Sequence, residues 1–437
     1  MSLKFGTDGV RAEALTILTT DYVAALGRAA AQVLGGGAWL IGRDTRESGA
    51  ALEAALVAGL AAGGAQPVSL GVVPTPMLAW LAEQHGCPAA MITASHNPWR
   101  DNGVKILASG GTKLPDAVER AIEAVLDPAH IGVFVDGHDV VAAHSNETDR
   151  YLQHLLGLTV RLDGLSIVLD CANGAMTQVA PAAFRALGAD VSVIHDQPNG
   201  RNINDLCGAT HTESLSAAVL SAGASIGLAF DGDGDRVIAV DHLGCVVDGD
   251  RLIALAALLL REEGRLHHNT VVVTVMSNIG FHKAMAAAGI EVVTTAVGDR
   301  YVLEALDAGG FSVGGEQSGH IIYRDLATTG DGLLAGLRLA QFVHGHHRSL
   351  AALAAEVMTS YPQVLVNVKV AQRHPDVAAE LGAEIAAAEQ RLKGDGRILV
   401  RASGTEPLIR VMVEAATDEL ARTVADDLAA TVLSRFG

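Results

Sequence analysis

Aromatic residues are scarce in this chain: Phe, Trp and Tyr make up 4% of 437 residues. Its cores must be built from aliphatic side chains, and a hydrophobic content of 49% supplies them, which excludes a disordered or collagen-like chain. Positive charge is also short. Lys and Arg number 31 against 49 Asp and Glu, a formal balance of −18. That argues against a general nucleic-acid binder, whose affinity draws on a basic surface. An anionic substrate must then be captured by local cations. The four cysteines, Cys87, Cys171, Cys207 and Cys245, form no CxxC pair, so reduced, mostly buried thiols are expected rather than a disulfide framework or a zinc site. Long apolar runs are missing too. The longest, at 253–260, falls far short of the ~20 residues of a membrane span, and the opening MSLKFGTDGVR lacks the apolar core of a signal peptide. A soluble cytoplasmic chain of roughly three or four domains is expected, with no membrane or nucleic-acid partner, as monomer or homodimer.

What is present is a steady alternation. Strand-type runs at 38–41, 89–93, 166–169, 191–194, 270–275 and 291–294 alternate with Ala/Leu-rich helical stretches such as 47–62, 176–187 and 281–288. This is the pattern of βαβ units and a parallel or mixed sheet covered on both faces. Gly63, Gly188, Gly223 and Gly289 follow helical stretches and are expected left-handed C-caps. Boundaries are placed to give segments 1–150, 151–251, 252–364 and 365–437. The last is a smaller α+β unit with about three strands and two helices, at 375–392 and 418–433.

Each segment has an apolar run that stops at a polar motif: Thr93-Ala94-Ser95-His96-Asn97-Pro98, Asp231-Gly232-Asp233-Gly234-Asp235-Arg236, Gly315-Glu316-Gln317-Ser318-Gly319-His320 and Arg401-Ala402-Ser403-Gly404-Thr405-Glu406-Pro407. Ligands of open α/β sheets bind beyond the carboxyl ends of strands, so the motifs are expected to share one cleft. Alternate carboxylates on an extended strand stand about 7 Å apart, too far for one ion. Gly232 and Gly234 let the chain curl so that Asp231, Asp233 and Asp235 converge as hard oxygen ligands suited to one Mg²⁺. An EF-hand fails, because its Gly and Glu positions hold Arg236 and His242. Ser95 is not in a G-x-S-x-G elbow. It can instead carry a phosphoryl group, with the metal offsetting phosphate charge. His96 is a second candidate catalytic group, although adjacency in sequence alone does not place it as a base. Arg401, Ser403, Gly404, Thr405 and Arg410 read as a phosphate cradle of forked donors, hydroxyls and close backbone. Glu316 and Ser318 suit vicinal sugar hydroxyls.

With these motifs in this order, the chain resembles the α-D-phosphohexomutase superfamily along its whole length. Phe5-Gly6-Thr7-Asp8-Gly9-Val10-Arg11, Ala296-Val297-Gly298-Asp299-Arg300-Tyr301-Val302 and Gln317, where the phosphomannomutase/phosphoglucomutase branch typically has Met, resemble its bacterial phosphoglucosamine mutase branch. The resemblance implies four domains around a central cleft, three of them with a related mixed α/β core. It implies a phosphoserine at Ser95, and Mg²⁺ held by Ser95 together with Asp231, Asp233 and Asp235. The implied activity is interconversion of glucosamine 6-phosphate and glucosamine 1-phosphate through glucosamine 1,6-bisphosphate, with a hexose bisphosphate as activator. It also implies a place in amino sugar metabolism, supplying UDP-N-acetylglucosamine. Arg11, Lys105 and His320 are implied near the proton transfer, with Arg236 and Arg300 added to the groups that bind substrate. The alternative is a phosphomannomutase/phosphoglucomutase. A non-catalytic sugar-phosphate sensor would tolerate loss of Ser95 or an aspartate, and a phosphatase would release inorganic phosphate.

Overall fold

Four sheets organise the chain, and the computed structural model describes residues 3–6, 9–126, 141–142, 146–372, 374–403 and 407–437. In the first sheet β1 (Val10–Glu13), β2 (Gly37–Arg43), β3 (Ala65–Val72), β4 (Ala89–Ile92), β5 (Asp101–Leu107) and β6 (Val141–Ala142) take the order β1-β5-β4-β2-β3-β6. From β4 to β6 the neighbours are parallel; β5 and β1 close one edge antiparallel. The second sheet has β7 (Ser166–Asp170), β8 (Asp190–Ile194), β9 (Ile226–Phe230), β10 (Val237–Asp241) and β11 (Val246–Val247) in the order β11-β10-β9-β7-β8. In the third, β12 (Thr270–Thr274), β13 (Glu291–Thr295), β14 (Val313–Gly315) and β15 (Ile321–Tyr323) run β13-β12-β14-β15. Both repeat the arrangement of the first, a parallel centre with an antiparallel edge. The strands β4, β9 and β12 are buried at every residue, as continuous apolar runs in a doubly covered sheet should be.

The fourth sheet differs. β16 (Gln363–Lys369), β17 (Gly396–Ala402) and β18 (Leu408–Ala415) pair antiparallel throughout, in the order β16-β18-β17, and pack on the helix Asp418–Phe436. The chain is thus α/β with three related mixed sheets and a smaller α+β end. By compactness it divides into Met1–Met276 with Glu291–Ala355, and Ser277–Ile290 with Glu356–Gly437. Among the described residues, no helix is long and apolar enough to cross a membrane.

Two expected details differ. The stretch 375–392 is not one helix but Val377–Glu380 followed by Gly382–Arg391. The break at Leu381 lets Val377 and Leu381 both bury completely in the C-terminal core. Gly63 does not enter the left-handed region (φ −83°); the next residue, Gly64, does (φ 90°). Space explains Gly63 instead, since a Cβ there would stand 2.6 Å from the Ala31 Cβ. Gly188, Gly223 and Gly289 all have positive φ, as expected.

Candidate active site

Ser95 follows β4 in a left-handed backbone conformation (φ 51°) that a non-glycine residue rarely adopts. Its surroundings hold it there. The Ser95 N–H donates to Thr93 Oγ1 at 2.8 Å, and its carbonyl accepts from Arg46 Nη2 and Asn204 Nδ2, both at 2.9 Å. Arg46 is itself almost fully buried and donates to the carbonyls of Asn97, Pro98 and Asp101 and to the Asp44 carboxylate. One buried guanidinium therefore fixes the whole turn, and the Ser95 side chain is 1% exposed.

The hydroxyl points at the acidic loop. Ser95 Oγ donates to Asp231 Oδ2 at 2.6 Å. Asp231, Asp233 and Asp235 each offer an oxygen within 4.8 Å of the other two, and all three are buried. The curl that joins them uses Gly234 at φ +75°, while a Cβ on Gly232 would come 2.7 Å from the Ser95 carbonyl oxygen. Lys105, 4% exposed, donates from Nζ to Asp233 Oδ2 at 2.9 Å and to Asp235 Oδ2 at 3.0 Å. Thr75 Oγ1 donates to Asp233 Oδ2 at 2.6 Å. The Oδ1 atoms of Asp233 and Asp235 are buried and accept no hydrogen bond among the described residues. Burying unpartnered carboxylate oxygen is expensive, and a divalent cation is what such an oxygen set accommodates. Burial, then Asp235 and Asp233, push the Asp231 carboxyl well above its ordinary range. Asp235 is held well below it: burial acts upward but Lys105, His320 and Arg236 outweigh it.

Cations surround this cluster. The Arg236 amide donates to Asp231 Oδ1 at 3.1 Å, and its guanidinium Nε lies 3.8 Å from Asp235 Oδ1. Arg11, on β1 opposite Gly103, and Arg236 both act on His96. The His96 Nδ1 is 3.3 Å from Ser95 Oγ. Burial, then Arg236 and Arg11, bring its pKa down to about 4, so the ring is neutral near pH 7.

The third motif reaches the same cluster through His320. Its Nδ1 lies 3.6 Å from Asp235 Oδ1 and its Nε2 3.5 Å from Asp299 Oδ2, while Nε2 accepts from the Gly330 amide at 3.2 Å. Burial lowers the His320 pKa, but Asp235 and Asp299 outweigh it. The Gly330 contact fits the neutral tautomer with its proton on Nδ1, facing Asp235. Glu316 Oε1 accepts from the Gly298 amide at 3.0 Å, and Ser318 is exposed. Arg300 bonds to Asp116 and, at 2.5 Å, to Glu119 on the helix Asp116–Val125. Its visible partners are thus protein carboxylates.

The C-terminal unit holds the fourth motif. Arg401 and Arg410 are directly paired across β17 and β18. Burial and then Arg410 lower the Arg401 pKa, so this unit brings two cations face to face, an arrangement that an anion relieves. Ser403 is 5% exposed and donates its amide to Leu408 at 2.9 Å. Gly404 and Thr405 lie outside the described residues.

The models of phosphoglucomutase/phosphomannomutase alpha/beta/alpha domains I, II and III match residues 2–129, 149–244 and 248–361, and that of the C-terminal domain matches 365–431. The chain belongs to the phosphoglucomutase/phosphomannomutase family. The phosphoglucosamine mutase of Rhodococcus opacus is 51% identical over 445 aligned positions, covering 99% of this chain and all of that one. That of Corynebacterium diphtheriae is 50% identical, covering 99% of each. Solved structures share the fold: a phosphoglucomutase/phosphomannomutase family protein from Burkholderia thailandensis (TM-score 0.80, 24% identity, 98% and 97% covered) and an N-acetylphosphoglucosamine mutase from Aspergillus fumigatus solved with GlcNAc-6P and magnesium (0.73, 20%, 100% and 96%).

Sequence reasoning missed several residues that build this family member's site. Arg46 and Asp44 stand just past β2 in an Arg-Asp-Thr-Arg run, a strand-end cluster of charges that was open to notice. Thr75 and Asn204 carry no comparable signal. Asp299, although within the Ala296–Val302 motif, shows its link to His320 and Lys113 only in three dimensions.

Proposed function

We propose that this chain interconverts glucosamine 6-phosphate and glucosamine 1-phosphate in the cytoplasm, with Ser95 carrying the phosphoryl group in transit. The observation that carries this reading is the Ser95 hydroxyl bonded at 2.6 Å into three buried carboxylates. The roughly half-identical phosphoglucosamine mutases support the choice of sugar.

Asp231, Asp233, Asp235 and Ser95 would hold Mg²⁺, which, bound there, offsets negative charge on phosphate oxygens. The protein's own groups do the rest. When the sugar O1 attacks phospho-Ser95, the O1–P bond forms and the P–Oγ bond breaks, giving glucosamine 1,6-bisphosphate, and the proton lost by O1 ends on the departing Ser95 Oγ, which Asp231 and His96 face. After the bisphosphate turns, Ser95 Oγ attacks the 6-phosphoryl: the P–Oγ bond forms, the P–O6 bond breaks, and the proton lost by Oγ ends on O6 of the departing glucosamine 1-phosphate. On its way the Oγ proton has two acceptors in reach, Asp231 Oδ2 at 2.6 Å and the His96 Nδ1 at 3.3 Å. Lys105 donates to both Asp233 and Asp235 and orients them. Arg11 and Arg236 attract the transferring phosphate. Glu316 and Ser318 grip sugar hydroxyls. Arg401, Ser403, Gly404, Thr405 and Arg410 take the phosphate that stays, as the opposed arginine pair suggests. A hexose bisphosphate charges Ser95 initially. The divisions at 150, 251 and 364 mark four domains, each contributing one motif.

A phosphomannomutase/phosphoglucomutase activity would share every group at Ser95 and the carboxylates. A coupled assay on glucosamine, glucose and mannose 6-phosphates with Mg²⁺ separates the two. The highest kcat/KM is expected on glucosamine 6-phosphate; a higher value on glucose or mannose 6-phosphate would reject the assignment.

A further inference from the structure

Away from the serine and the aspartate loop, a second cluster forms where three distant stretches of chain meet. Asp170 ends β7, His195 follows β8, and Cys207 precedes the short helix Gly208–Thr210. Each offers one ligand atom within 4.8 Å of the other two. Asp170 and Cys207 are completely buried, and the His195 side chain, 30% exposed, gives access from solvent. The His195 Nδ1 lies 3.0 Å from Asp170 Oδ1, yet this buried nitrogen makes no hydrogen bond of acceptable geometry among the described residues. A nitrogen and an oxygen that both ligate one ion at about 2.0–2.1 Å in tetrahedral array stand about 3.3 Å apart, so the spacing suits shared coordination.

The surroundings orient the ligands as outer-sphere partners do. Asp170 accepts the Ala172 amide on Oδ1 and the Gly208 amide on Oδ2, each at 2.9 Å. The Cys207 sulfur has the Asn173 amide nitrogen at 4.0 Å. The donor set is one sulfur, one nitrogen and one oxygen. Thiolate and imidazole select soft or borderline ions, whereas the three-carboxylate loop selects hard ones. Mg²⁺, which prefers oxygen ligands, fits this donor set poorly, and a thiophilic ion fits it well.

We propose that Asp170, His195 and Cys207 form a binding site for a thiophilic divalent ion of the Zn²⁺ class, chemically orthogonal to the aspartate loop. Scattered cysteines gave no sign of it because the three ligands meet only through the β7–β9 topology. The site borders the aspartate loop: Ala175 donates its amide to Gly232 at 2.9 Å, and the Asn173 carbonyl accepts from Thr45 Oγ1 at 2.6 Å. An ion there would tie the 171–175 turn to β8 and to the Gly208–Thr210 helix.

Co²⁺ reports such a site by its thiolate charge-transfer absorption in the near ultraviolet. The full chain, stripped with a chelator and kept in excess Mg²⁺ to saturate the carboxylate loop, is titrated with Co²⁺. One Co²⁺ per chain with that band is expected. The band should persist in Cys245→Ser, which removes the exposed thiol, and disappear in Cys207→Ser. His195→Asn, in which Asn tolerates the left-handed backbone (φ 49°), should weaken Co²⁺ binding by about tenfold or more. No thiolate band in the unmodified chain, a band surviving Cys207→Ser, a band lost in Cys245→Ser, or unchanged affinity in His195→Asn would each overturn the proposal. If circular dichroism shows a variant misfolded, the unmodified chain and Cys245→Ser decide.

Discussion

His96 faces the Ser95 hydroxyl, its Nδ1 3.3 Å from Oγ. With the hydroxyl free, burial and the two arginines hold its pKa to about 4. A phosphoryl group on Ser95 would place up to about two negative charges against the ring and favour the imidazolium. Side-chain NMR titration should therefore show His96 titrating near pH 4 in the dephosphorylated chain and clearly higher in the phosphorylated one; equal values would remove His96 from the account. The sign for stability follows from the same shift. The fold prefers the neutral ring, so this contribution is complete above the unfolded pKa of 6.5 and is lost as pH falls toward 4, by at most about 3 kcal/mol. Lys105 shows the complementary design. It bonds the Oδ2 atoms of Asp233 and Asp235, while their Oδ1 atoms remain without a hydrogen bond among the described residues. A buried ammonium that neutralises one side of the carboxylates leaves the other side for a metal. The family resemblance implied Lys105 near the proton transfer but could not say that it faces two of the three carboxylates.

Strand pairing explains why two arginines in the C-terminal unit are held together. Arg401 and Arg410 occupy one register position of β17 and β18, where like charges oppose each other. Arg410→Ala should leave the thermal midpoint of the unliganded chain unchanged or slightly raised. The same substitution should raise KM for the sugar phosphate about 10- to 100-fold, the loss of one charge-assisted contact. A lowered midpoint with unchanged KM would make Arg410 structural. Another buried group belongs to the helix Gly332–His346, whose N-cap is Asp331. Asp331 accepts from the Leu334 amide at 2.9 Å and from the Tyr151 hydroxyl at 2.6 Å, and burial raises its pKa to about 6 despite both bonds. Here the fold prefers the protonated acid, so its contribution is complete below pH 3.8 and is lost as pH rises through 6. Asp331→Asn should consequently gain up to about 3 kcal/mol over the unmodified chain above pH 6, with the difference vanishing near pH 4. Denaturant midpoints across that range check it; a pH-independent difference would contradict it. At this scale the elements were legible where apolar runs were long and glycine-punctuated, as at β4, β9 and β12. They were not where a tertiary demand overrode local pattern, as at Leu381, which breaks a helix to reach the core.

Across the molecule, the motifs were readable because metal and phosphate chemistry requires rare residue combinations at strand ends. What was hidden is the set of contacts that bring those ends together. In the first unit, Thr75 with Asp233, Arg46 and Asn204 with the Ser95 turn, and Arg300 with Asp116 and Glu119 join segments 49 to 184 residues apart. No local pattern encodes a partner at that separation; the strand orders of the sheets do. The meeting of Ser95 with Asp231 across 136 residues is the contact on which the function rests. Its most direct test is mass spectrometry of the intact chain and its peptides after incubation with a hexose 1,6-bisphosphate and Mg²⁺, then with glucosamine 6-phosphate. One phosphoryl group should be found on the peptide carrying Ser95, should leave when the sugar phosphate is added, and should be absent from an inactive Ser95→Ala chain. A Ser95→Ala chain that turns over glucosamine 6-phosphate at the unmodified rate, or a chain that never carries the group, would contradict the account.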